Sequence, residues 1–149
     1  MKPEFKKMWT WHPANRGVIA PCTTNGKSNF KNQCAIRMSE CFSKVGVPTN
    51  SFKGARCYPG HNHNQSHILR AEELAKWMKI NVHIFGKADI KRSASALSYK
   101  DKKGIIFLLN FWGQGNQGDH IDLWNGTKMT RGAPEYFTAA QEVWFWELT

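Results

Sequence analysis

Long apolar runs, acidic residues, cysteine and internal repetition are scarce or missing in this 149-residue chain, and each lack narrows what it can be. With no apolar stretch of membrane-spanning length, no membrane insertion is expected. The start, Met1-Lys2-Pro3-Glu4-Phe5-Lys6-Lys7, lacks the apolar core of a secretory signal, so any export is expected to bypass the general secretory route. Four cysteines, Cys22, Cys34, Cys41 and Cys57, are too few to be the main scaffold of a domain this long, although Cys22 and Cys57 in turn-rich stretches are a possible bridging pair. The absence of repeats and low-complexity tracts excludes solenoids and linkers, leaving a single domain over residues 1–149. Only 11 Asp and Glu face 21 Lys and Arg, and the net charge of +10 attracts polyanions: nucleic acid, acidic lipid or an anionic cell-wall polymer.

What is present begins with Cys34, which opens the amphipathic segment Asn32-Gln33-Cys34-Ala35-Ile36-Arg37-Met38-Ser39-Glu40-Cys41-Phe42. Apolar side chains at Ala35, Met38, Phe42 and Val45 fall three and four apart, the spacing of one helical face, and Gly46 and Pro48 stop the helix. Cys41, seven residues on from Cys34, reads as a small buried hydrophobe. Residues 48–65 read as an irregular loop. A second helix is expected from an N-cap at Ser66, through Glu72 and Glu73, to near Lys79, burying Ile68, Ala71, Leu74, Ala75 and Met78. The second half is β-rich: 105–112 as a strand buried on both faces, a glycine-rich loop, 120–124 as its hairpin partner, and 142–148 as a final strand. His83, alternating with Val82 and Ile84, reads as a polar residue on a short strand, and His12 carries no signal. Helices first and strands later make an α+β class.

A thiol at the first turn of a helix feels the positive end of the helix dipole, which favours the attacking thiolate. It needs a base, and the base needs a third group to fix its tautomer. On the 120–124 strand His120, Asp122 and Trp124 share one face while Ile121 and Leu123 share the other, so an imidazole and a carboxylate stand side by side. Asp122 is then expected to take the imidazole Nδ1 proton and leave Nε2 toward the thiol. Asp119, a rival for the orienting role, should point to the opposite face. A His and an Asp on the open face of a strand are also ordinary solvent-facing residues, and on the residues alone both readings stand.

The stretches Asn32-Gln33-Cys34-Ala35-Ile36-Arg37-Met38-Ser39, Lys102-Lys103-Gly104-Ile105-Ile106 and Gly118-Asp119-His120-Ile121-Asp122-Leu123-Trp124-Asn125-Gly126 closely resemble the fourth subfamily of type VI secretion amidase effectors. The resemblance implies a papain-like NlpC/P60-type fold with the cysteine helix packed on an antiparallel sheet. It implies cleavage of the γ-D-glutamyl–meso-diaminopimelate bond of peptidoglycan stem peptides in the periplasm of a rival cell. It also implies partners among type VI secretion components and a periplasmic immunity protein. Carried over, Cys34 is the nucleophile and His120 the general base. The oxyanion is expected to meet the backbone N–H of Cys34, helped by a nearby side chain such as Gln33. Members of that family place the orienting aspartate in the turn after Trp-Asn-Gly, where this chain reads Thr127-Lys128-Met129-Thr130-Arg131-Gly132 and has no acid. Asp122 ranks first as the third catalytic residue, before Asn125 and Glu135. The paired cysteines of that turn are also missing here.

Two other functions compete. Cys57, His61, His63 and His67 are residues zinc accepts, but their spacing matches no usual structural-zinc pattern, so this is expected to be a polar surface loop with no metal; no cofactor is expected either. The contiguous His61-Asn62-His63-Asn64 is not an HNH nuclease, whose residues are spread over a ββα unit. A basic nucleic-acid-binding module without catalysis is the main alternative, yet the basic residues are scattered and the aromatics Phe107, Phe111, Trp144 and Phe145 sit in apolar strands where core packing fits them better.

Overall fold

The helical spacing around Cys34 produces α2 (Cys34–Val45), with Ala35, Met38, Cys41 and Phe42 buried and Gly46 ending it at φ 81°, where its N–H caps the carbonyls of Phe42 and Ser43. This is a computed structural model, and it describes residues 2–24, 27–28, 30, 33–57, 67–110 and 119–149. Before α2 come α1 (Phe5–Trp11), a 3₁₀ turn at Pro13–Arg16, and the short pair β1 (Thr23–Thr24) and β2 (Lys27–Ser28). After it come α3 (Ala71–Ile80), α4 (Val82–Phe85), β3 (Asp89–Lys91), β4 (Gly104–Leu109), β5 (His120–Trp124), α5 (Glu135–Ala139) and β6 (Glu142–Glu147).

Four strands form an antiparallel sheet in the order β3-β6-β4-β5. Period-two alternation sends Ile105, Phe107, Ile121, Leu123, Trp144 and Trp146 to one face, where they pack on α1, α2 and α3. Ile106, Leu108, Trp124, Val143 and Phe145 go to the other, under Tyr99, Met129 and Phe137. Each fully buried side chain of this size contributes about 2 kcal/mol, so covering both faces makes the sheet the rigid floor of the molecule. Gly104 is needed where β4 meets β6, since a Cβ there would lie 2.0 Å from the Trp146 carbonyl oxygen.

Several expectations need correction. Ser66 lies outside the described residues, and the helix starts at Ala71: residues 67–69 are extended, with Ile68 bridging Arg56, because the backbone from 55 to 57 offers them a ladder. His83 lies on the single helical turn α4, not a strand. The first long strand ends at Leu109, where Asn110 takes φ 54° and its N–H is capped by the Asp119 carboxylate at 2.8 Å; residues 111–118 lie outside the described set. The strand 120–124 is found as expected, paired with β4.

Candidate active site

The edge position of β5 and the first turn of α2 create the site. His120 and Asp122 stand on the sheet face of Leu108 and Ile106, opposite the packed face of α2, yet among the described residues β5 has no strand outside it. The start of α2 therefore reaches the strand edge, with Cys34 Sγ 3.8 Å from the Asp119 carbonyl oxygen. His120 hydrogen-bonds Cys34 on one side and Asp122 on the other, its Nε2 lying 3.0 Å from Asp122 Oδ2. The Tyr136 ring stands edge-on to the imidazole, centroids 5.8 Å apart.

The sequence-predicted residues Cys34, His120 and Asp122 are thus brought together, with two differences. The imidazole is reversed from expectation: Nε2 faces Asp122 and Nδ1 is left for the thiol. The reason is that Cys34 lies against the main chain just before His120, beside the ring nitrogen nearest the backbone, while Asp122 two residues along is reached by the far one. Nor is Asp122 solvent-facing, at 1% exposure. Its Oδ1 accepts from the Leu123 N–H at 2.7 Å and the Thr130 hydroxyl, and its Oδ2 accepts from His120 and the Arg131 N–H at 2.9 Å. The turn that carries no acid instead supplies donors to the acid on the strand. Asn125 Oδ1 is committed to Thr127 and Lys128 within that turn, and Glu135 is exposed on α5. Asp119 spends its carboxylate on Asn110, away from the imidazole.

Gln33 does not serve an oxyanion. Its buried side chain clasps Cys22, accepting from the Cys22 N–H at 2.8 Å and donating to the Cys22 and Phe30 carbonyls at 2.9 and 3.2 Å, which uses both amide hydrogens. That leaves the first-turn backbone N–H groups of α2 as the donors pointing along the helix axis.

His12, which carried no sequence signal, lies 1% exposed against the carboxylate. Its Nδ1 accepts the Ala14 N–H at 3.2 Å, which puts the proton on Nε2, 3.7 Å from Asp122 Oδ1 and without a hydrogen-bond partner among the described residues. Burial lowers its pKa to about 4 against the attraction of Asp122, with Arg37 and His120 adding to the fall. Burial also disfavours the His120 imidazolium, but bonds to Asp122 and Cys34 outweigh it and raise that pKa to about 10. Burial likewise opposes the Asp122 carboxylate, and His120, His12 and Thr130 prevail, holding its pKa below the usual value. Cys41 is buried as expected, its thiol on the Met8 carbonyl at 3.3 Å and its pKa pushed up to about 12 by burial and then by Asp122.

These shifts fix the sign of the stability profile. His120 binds its proton more tightly folded than unfolded, so its contribution is full below about pH 6.5 and is lost as pH rises through 10. His12 binds its proton less tightly when folded, so acid destabilises the fold from about pH 6.5 down through 4, by on the order of 3 kcal/mol. Asp122 adds to the acid loss at lower pH. Urea unfolding across this range is expected to give a maximum near neutrality, and His12→Asn is expected to flatten the limb between pH 6.5 and 4. An unchanged acid limb in that variant would show that His12 is not the group titrating.

Residues 30–146 match the family model described as type VI secretion system, amidase effector protein 4. The chain belongs to that family. It is therefore a peptidoglycan amidase of type VI secretion, and the nucleic-acid-binding alternative falls: Phe107, Trp144 and Phe145 are spent in the two cores. The fold is that of the family's solved members. The effector Tae4 from Enterobacter cloacae has a TM-score of 0.75 at 22% identity, covering 100% of this chain and 98% of that one. The effector–immunity system Tae4/Tai4 from Salmonella typhimurium gives 0.72 at 25% identity, 99% of each chain being covered. The Salmonella effector bound to the immunity protein Tai4 of Enterobacter cloacae gives 0.71 at 23%, again with 99% of each covered. None of the proteins with curated functions matches the sequence. Papain-like NlpC/P60 architecture, a cysteine helix laid on an antiparallel sheet, is thus the correct fold class for this effector.

Proposed function

We propose that this amidase effector hydrolyses the γ-D-glutamyl–meso-diaminopimelate bond of peptidoglycan stem peptides through Cys34, His120 and Asp122. The observation that carries the assignment is the imidazole bonded to Cys34 on one side and held at 3.0 Å by the buried Asp122 on the other. Near neutrality the raised pKa of His120 leaves the imidazole holding the proton drawn from the thiol, Cys34 Sγ adds to the scissile carbonyl, and the oxyanion is met by first-turn N–H groups of α2. His120 then protonates the departing diaminopimelate amine, leaving a γ-glutamyl thioester on Cys34. Water, deprotonated by the same imidazole, attacks the thioester, releasing the glutamate γ-carboxylate and returning the thiol. Asp122 accepts the Nε2 proton throughout and keeps Nδ1 turned to sulfur.

The substrate lies in the target cell's periplasm, which this effector reaches through type VI secretion components. The net charge of +10 holds the enzyme on an anionic wall polymer and favours fast capture by an acidic, periplasmic immunity protein. The bond is tested with purified protein and defined muropeptides. Mass spectrometry is expected to find a new free diaminopimelate amine and a fragment ending in D-glutamate. Cleavage at the D-alanyl–diaminopimelate cross-link instead would overturn the bond assignment.

A further inference from the structure

Three donor residues outside the amidase chemistry meet near the segment leading to α2. The sulfurs of Cys22 and Cys57 lie 3.3 Å apart. One ligand atom from each of Cys22, Cys57 and His67 falls within 4.8 Å of the others, and all three residues are buried. The expected polar surface loop is therefore wrong for Cys57 and His67; His61 and His63 lie outside the described residues. Backbone bonds hold the cluster in place: Gln33 clasps both polar groups of Cys22, and the Cys57 N–H donates to the His67 carbonyl at 2.8 Å in the ladder that continues from Ala55 to Leu69.

His67 supplies a second, independent sign. Its Nε2 is 3.2 Å from Glu40 Oε2 on α2. A proton donated there leaves the lone pair on Nδ1, and an imidazole anchored by a carboxylate through one nitrogen is the common arrangement around protein-bound zinc. Two thiols and an imidazole of fixed tautomer form a donor set that zinc takes, with one position left for a further ligand.

We propose that Cys22, Cys57 and His67 bind one zinc ion through two thiolates and Nδ1. Two sulfurs on a tetrahedral zinc stand about 3.8 Å apart, so loading spreads the observed pair by roughly half an ångström and releases the thiol protons to solvent. A Cys22–Cys57 disulfide would use the same sulfurs but would leave the buried imidazole and its carboxylate anchor without a role. The ion acts as a brace: it fixes Cys22, and through the Gln33 clasp it fixes the residue immediately before Cys34.

Intact protein from zinc-supplemented cells, exhaustively desalted, is expected to carry about one zinc per chain by plasma mass spectrometry. Cobalt(II) added to the apoprotein is expected to give a thiolate charge-transfer band and the strong visible bands of a tetrahedral site. Cys22→Ser and His67→Gln should each lower the zinc content at least severalfold, while Cys34→Ser and Cys41→Ser keep it. The wild-type cobalt spectrum stands even if a variant misfolds. The proposal is overturned if wild-type protein takes up neither metal, if denatured protein shows a Cys22–Cys57 disulfide in place of the thiols, or if metal content survives both cluster substitutions. None of these readouts depends on cleavage.

Discussion

Cys34→Ala is expected to stop release of stem-peptide fragments, a fall in kcat of roughly six orders of magnitude, with far-UV circular dichroism and thermal midpoint close to wild type. The replacement keeps the helix start, where the Arg37 N–H bonds to the Gln33 carbonyl at 2.8 Å, and Ala is the best helix former. Only the sulfur is lost, together with its contacts to His120 and the Asp119 carbonyl. Without its neighbour the imidazole loses one of the two influences that raise its pKa, so the alkaline loss of stability, which begins near pH 6.5 in both proteins, should be smaller in the variant and complete at lower pH than in the wild type. Substantial turnover in this variant would remove the covalent mechanism altogether.

Asp122→Asn is expected to lower kcat by roughly four orders of magnitude with a smaller change in KM, as loss of an orienting carboxylate does in other triads. Several cysteine hydrolases work with an asparagine in this role, so the outcome depends on surroundings. Here both oxygens accept: Oδ1 from Leu123 and Thr130, Oδ2 from His120 and Arg131. If the amide oxygen faces His120, the amide NH₂ meets the Leu123 N–H in the other position, and a backbone donor cannot turn round as a hydroxyl can. If the amide is flipped, two donors meet at His120 instead. The variant should therefore also unfold at lower urea. Near-normal turnover for Asp122→Asn, with a large loss for Asn125→Ala or Glu135→Gln, would move the role to the turn.

The parts of this molecule that the sequence disclosed are those written in local periodicity. The stripe at Ala35, Met38 and Phe42 specified α2, and strict alternation along 120–124 put His120 beside Asp122. His12 was illegible because a single histidine after α1 means nothing until residue 122 is folded against it. Gln33 looked like an oxyanion donor by adjacency alone, and only the fold shows that Cys22 consumes its amide. The tautomer was misjudged because strand spacing says which residues are neighbours but not which end of a ring the nucleophile approaches. Short elements failed for a related reason: the extended 67–69 is set by pairing with 55–57, and α4 is a single turn that buries Phe85 in the core, so tertiary context outweighs weak local preference.

The contact between Cys34 and Asp119 joins residues 85 apart in the chain, and the carboxylate at 122 is faced from residue 12 as well as from 130 and 131. Closing such long loops is costly and is repaid only when most of the sheet has formed. A fragment that lacks either residue 12 or residue 131 misses part of the constellation, and a form in which the sheet is incomplete is not expected to hold it assembled. Catalytic competence in this effector is thus a readout of global order, and loss of activity on heating or in denaturant should track the main unfolding transition rather than the earlier melting of a loop.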